Sequence, residues 1–184
     1  MMSRALTLLA LLGVIGAFDT LYFHEWRGRL PARPEARAEL RLHVARDAVY
    51  VVIFGTLPLV AWRGAWAVVL AALLVAEIVI TMTDFVTEDR DRVAFSGVFP
   101  GERVTHAVMG IVYGAILAFL VPVLRAWLTQ PTALVLEPAG PLELRWTLLL
   151  MAAGIGLHGL RDLCAVLVLP GSAWPWGVVS RSGR

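Results

Sequence analysis

Each of the four histidines lies close to a carboxylate along the chain. His24 precedes Glu25, His43 is followed by Asp47, His106 follows Glu102, and His158 is followed by Asp162. Residues four apart share a helix face. His43 and Asp47, Glu102 and His106, and His158 and Asp162 therefore each present an imidazole and a carboxylate together. Glu77, Thr81, Asp84 and Glu88 continue the theme as one polar stripe. Imidazoles and carboxylates drawn from several helices suit a borderline or hard transition metal. In helical bundles the same donors build carboxylate-bridged di-iron centres. The candidate ligands are His43, Asp47, Glu77, Asp84, Glu102, His106, His158 and Asp162, enough for two metal ions. Iron is the expected metal, and O₂-dependent oxidation the expected chemistry. No residue is assigned as a catalytic acid, base or nucleophile.

Two arginines and two tyrosines accompany these groups. His43-Val44-Ala45-Arg46-Asp47 and His158-Gly159-Leu160-Arg161-Asp162 are both H-x-x-R-D. Arg46 and Arg161 are expected to support the ligands or contact an anion, and otherwise to snorkel to headgroups. Tyr50 and Tyr113 lie one turn or two beyond the ligands, as supporting or packing residues. Soluble di-iron bundles use E-x-x-H, whereas this chain has E-x-x-x-H at Glu102 and His106. The clustered H-x-x-H-H boxes of membrane desaturases are absent too. His24 follows Asp19 by five residues, which is roughly 140° around a regular helix. The two should not share a face, and His24 and Glu25 read as interfacial groups. Glu88-Asp89-Arg90-Asp91-Arg92 reads as a solvated loop.

These residues need elements to hold them. A helix that crosses a bilayer core takes about 20 mostly apolar residues, and five segments qualify. They run from about residues 5 to 23, 44 to 62, 65 to 83, 104 to 124 and 146 to 169. The expected fold is all-α, a polytopic integral membrane bundle in a single domain over residues 1–184. The N-terminal run carries Arg4 before an apolar stretch but lacks a small-x-small cleavage site, so it is read as a retained span. Ionisable residues inside spans are costly and suggest function. Because consecutive spans alternate in direction, the ends of spans 1, 3 and 5 meet the starts of spans 2 and 4. All the candidate ligands then fall in one leaflet. Glu77 lies deepest, about 10 Å inside Asp84 at 1.5 Å per residue.

Composition agrees. Of 184 residues, 59% are hydrophobic and 16% charged, and mean hydropathy is +0.75. Soluble domains are nearer 45–50% apolar and about 25% charged. Cys164 is the one cysteine, so neither an internal disulfide nor a cysteine-based zinc site is available. The basic residues are sixteen arginines and no lysine, spread over several loops, with no nucleic-acid patch. Arg27, Arg29, Arg33, Arg37 and Arg41 follow span 1, Arg90, Arg92 and Arg103 follow span 3, and Arg181 and Arg184 lie in the tail. The positive-inside bias puts the N-terminus outside and the C-terminus in the cytoplasm. The arginine-only, alanine- and glycine-rich composition suggests a bacterial inner membrane.

The function expected from these features is metal-dependent oxidation of a lipid or other hydrophobic small molecule dissolved in the membrane. A homo-oligomer is compatible with it. Three other readings use the same residues: a lipid head-group enzyme built on His-Arg-Asp clusters, a proton or metal-ion transporter, and a haem protein of electron transfer with two axial histidines.

Overall fold

A computed structural model describes residues 1–177, so Arg181 and Arg184 lie outside the described residues. The chain is a bundle of five helices: α1 (Met2–Asp19), α2 (Arg37–Thr56), α3 (Ala65–Asp91), α4 (Pro100–Leu128) and α5 (Leu142–Val166). They form a ring in which α5, α2, α3, α4 and α1 are successive neighbours and α1 returns to α5. Leu6, Leu9, Ile53, Phe54, Leu70, Ile116, Leu120 and Leu148 fill its interior. Outward positions stay apolar as well. Val14, Phe18, Val68, Val75, Val79, Ile111, Leu150 and Leu157 are all exposed, as befits a surface that meets lipid tails.

Among the described residues four helical stretches are long and apolar enough to cross a membrane: Met2–Ala32, Ala65–Ala94, Pro100–Leu128 and Leu142–Val166. This fits an integral membrane protein. The expected second span does not join them. Its helix, α2, begins at Arg37, seven residues ahead of the expected span, so that Arg37, Glu39, Arg41 and His43 share one helix with Arg46 and Asp47. It ends at Thr56, ahead of Pro58, and the expected tail of that span is instead strand β1 (Val60–Arg63). β1 pairs antiparallel with β2 (Ala133–Leu136), Val60 opposite Leu136 and Arg63 opposite Ala133. This small sheet closes the end of the bundle away from the histidines. Gly64 turns the chain out of β1 at φ 59°, where an added Cβ would lie 2.6 Å from the Thr132 Cα.

Small residues let α5 settle closely on α2. A Cβ on Gly156 would touch Val51 at 3.5 Å, one on Gly55 would touch Ala152 at 3.8 Å, and one on Gly159 would press Asp47 Cβ at 3.0 Å. Close approach through small residues is how membrane helices gain packing without a hydrophobic driving force between them.

Candidate metal centre

Between α1 and α2 the helix winding loosens. Thr20–Gly28 forms a π-helix, whose hydrogen bonds close from i to i+5. Residues five apart therefore stack, and His24 comes round to the face of Asp19, with Nε2 3.3 Å from Oδ2. The regular-helix expectation that separated these two residues fails for this reason. Neither the interfacial reading of His24 nor the solvated reading of Glu88 and Arg92 survives. His24 is 3% exposed, Glu88 3% and Arg92 0%, because α3 continues for two more turns than predicted and carries Glu88 inward.

The ends of α1, α3 and α5 and the starts of α2 and α4 meet at one end of the ring. There His24, His43 and His106 sit among six buried carboxylates, Asp19, Glu39, Asp84, Glu88, Glu102 and Asp162. His24 Nε2 is 3.0 Å from Glu102 Oε1. His106 Nε2 is 3.2 Å from Asp19 Oδ2 and its Nδ1 3.4 Å from Glu88 Oε1. His43 Nε2 lies 3.6 Å from Glu39 Oε1 and 3.5 Å from Asp84 Oδ2, and its Nδ1 lies 3.4 Å from Asp162 Oδ2. The His24 and His43 rings stack at 4.8 Å between centroids. Among the described residues four sets of donor atoms fall within 4.8 Å of one another: Asp19, His24 and His106; His24, Glu39 and His43; Glu88, Glu102 and His106; and, to one side of these, Glu25, His158 and Asp162. The first set shares His24 with the second and His106 with the third, so these three form one continuous centre.

Many of these contacts are close without being hydrogen bonds. Asp19 Oδ1, both nitrogens of His24, His43 Nε2, Asp84 Oδ1, Glu88 Oε2 and both oxygens of Asp162 are buried and make none. Donor atoms about 2.0–2.2 Å from a metal stand roughly 3 Å apart when they subtend a right angle. The spacing seen here matches that, and its geometry is poor for direct hydrogen bonding.

Two guanidiniums hold the carboxylates in place. Arg92 donates through Nε and Nη2 to Glu39, and Nη1 donates to Glu102 Oε1 at 2.6 Å. Arg46 Nη1 donates to Asp84 Oδ2 at 2.8 Å. Glu102 also accepts from the Phe99 backbone N–H at 3.2 Å, satisfying a donor that a helix start leaves unpaired. One side chain thus starts α4 and enters the centre.

Of the residues expected as ligands, His43, Asp84, Glu102, His106 and Asp162 stand in this centre. Asp47 and His158 pair at its edge, Oδ2 to Nδ1 at 2.7 Å, with His158 Nε2 3.7 Å from Asp162. Glu77 stands apart, accepting from Tyr50 at 2.7 Å and Thr81 at 2.8 Å. Tyr113 donates to the Leu74 carbonyl. Arg161 leaves the centre to bind Glu25 and the Trp174 carbonyl, so the two H-x-x-R-D segments do different work. Asp19, His24, Glu39, Glu88 and Arg92 join the centre unpredicted. A sequence signal for Glu39 existed: Glu39-x-x-x-His43 repeats the spacing of Glu102-x-x-x-His106. Comparison with protein-family models, curated proteins and solved structures finds no match for the chain.

Proposed function

We propose that the protein is a membrane-embedded, metal-dependent oxidoreductase with a dinuclear non-haem centre, holding iron, that acts on a membrane-dissolved substrate. The observation that carries this reading is the convergence of buried imidazole and carboxylate atoms lacking hydrogen-bond partners. Six carboxylates against the guanidiniums of Arg46 and Arg92 leave four negative charges in the buried centre. Burying unpaired charge costs several kcal/mol per ion, and two divalent cations would neutralise it. Protons on the three histidines of the centre would offset most of it as well, which makes the two accounts separable by measurement.

The donors are nitrogen and oxygen without thiolate, the set that suits iron or manganese over softer metals. Imidazoles interleaved with carboxylates do not suit an apolar haem pocket. Iron in such a centre supplies oxygen activation. Reduction of O₂ to two waters takes four electrons. A two-electron oxidation of substrate provides two, and an external donor of the quinol or redox-protein class provides the others. Asp19 and His106, which face the bundle interior, would orient the reacting carbon, and the packed helices would exclude water. We place the centre in the cytoplasmic half of an inner-membrane bundle, N-terminus outside and C-terminus inside, with α2 as a fifth, polar span. The crowding of Arg27, Arg29, Arg33, Arg37, Arg90 and Arg103 near this end supports that orientation.

The test is metal content and a UV–visible spectrum on protein purified in detergent without chelator. About two irons per chain and no Soret band are expected. One haem per chain, or no metal with a pH-driven proton flux in liposomes, would overturn the reading.

A further inference from the structure

A cavity of about 580 Å³ occupies the middle of the ring. That volume lies within the range of ligand pockets, and like them it is mostly apolar with a few polar groups at one end. Asp19 and His106 of the metal centre form part of its wall, as do Arg46 and the Glu77–Tyr50 pair. At the far end Gly13 packs under Phe54 and Met151, where an added Cβ would meet the Met151 sulfur at 2.7 Å.

Three wall glycines do something different. Gly110 and Gly114 of α4 and Gly154 of α5 line the cavity, yet a Cβ built on any of them meets nothing within 4 Å. Helix packing does not require them to be glycine. Gly110 and Gly114 follow His106 at intervals of four residues, so they share its face of α4 and leave a bare track running away from it. Ile78 and Met82 of α3 line the cavity and are also exposed, 38% and 52%, as is Leu21 at 66%. Glu77 Oε1 accepts from both Tyr50 and Thr81, so the protein itself already engages the carboxylate that borders this track.

We infer that the cavity holds one linear hydrocarbon chain of a membrane lipid. The chain lies along Gly110 and Gly114 and sets a methylene beside Asp19 and His106. As an account of substrate it rests on the oxidoreductase reading, whereas chain binding can be measured without it. The probes are cis-parinaric acid, a linear fatty acid that fluoresces when bound, and phosphatidylcholine carrying the same chain, each titrated into protein in detergent. Saturable binding is expected, with Gly110→Leu and Gly114→Leu weakening it at least tenfold, Gly110→Ala weakening it less, and Val108→Leu, outside the cavity, leaving it unchanged. Binding of the free acid alone assigns the chain to a free fatty acid, and binding of the phospholipid alone assigns it to a bilayer lipid. No saturable binding of either probe, or equal binding by the leucine variants, overturns the inference. Metal content and thermal unfolding of the same samples separate the failures. Chain binding without metal would remove the oxidoreductase reading and keep this one; metal without chain binding would do the reverse. Unchanged metal content and unfolding in the leucine variants also show that they are folded.

Discussion

Arg92 is the side chain on which the centre's geometry most depends. It is fully buried, and its guanidinium joins Glu39 of α2 to Glu102 of α4. Removing one partner from such a set strands the others. Arg92→Leu should cost about 3–5 kcal/mol, seen as a lower midpoint in thermal unfolding, and added divalent metal should restore part of it. The histidines should divide by position. His24→Ala, His43→Ala and His106→Ala remove donors from the middle of the centre, and each should lower metal stoichiometry by elemental analysis. His158→Ala, whose ring sits at the edge beside Asp47, should keep most of the metal. Equal loss from all four would remove the distinction drawn between core and edge. At this scale part of the grouping was legible in the sequence: spacing and the alternation of spans together put His43, Asp84, Glu102, His106 and Asp162 at one end of the bundle, where they meet, but also Asp47 and His158, which pair at the edge, and Glu77, which stands apart. Glu88 and Arg92 were hidden because an alternating-charge run looks the same whether it is solvated or folded inward.

The element that most changes the outcome is the π-helix over Thr20–Gly28. Sequence periodicity assumes a regular α-helix, and on that assumption Asp19 and His24 diverge. The wider turn brings them to 3.3 Å. Inserting one alanine after Thr20 should rotate His24 off that face and lower metal content sharply. Deleting Leu21 leaves the pair four residues apart, which a regular helix also aligns, and should retain more metal than the insertion. The α2–α5 contact is the second test. Gly159→Val forces a branched side chain against Asp47 Cβ, now 3.0 Å from where its own Cβ would stand. Overpacking of this kind costs typically 1–3 kcal/mol, and the unfolding midpoint should fall, with the Asp47–His158 pair displaced. Helix ends were the least legible elements. α2 reaches back to Arg37 because Glu39 and His43 have buried partners to meet, which hydropathy alone does not register.

At the scale of the molecule, folding and metal loading should be coupled. A ligand that binds only the folded state stabilises it by about 2.7 kcal/mol at a hundred times its Kd. Chelator should therefore lower the unfolding midpoint, and iron or manganese should restore it in a concentration-dependent way. A midpoint unaffected by chelator, on protein shown to hold metal, would mean the centre contributes nothing to the fold. The helical bundle and its four long apolar helices were legible because apolar length is a one-dimensional property. The sheet joining β1 to β2 and the central cavity were not, since both arise only when distant segments meet.

The gathering of donors at a single end of the ring also bears on how the protein is made. In the proposed orientation the translocated tips carry few charges, chiefly Arg63, Arg125, Glu137, Glu143 and Arg145. None of the six buried carboxylates would have to pass through the bilayer during insertion. Every ligand would stay on the side where it was synthesised. Metal would then be needed in that compartment alone, and a cell starved of it would accumulate inserted but unlocked chains, open to quality-control proteolysis.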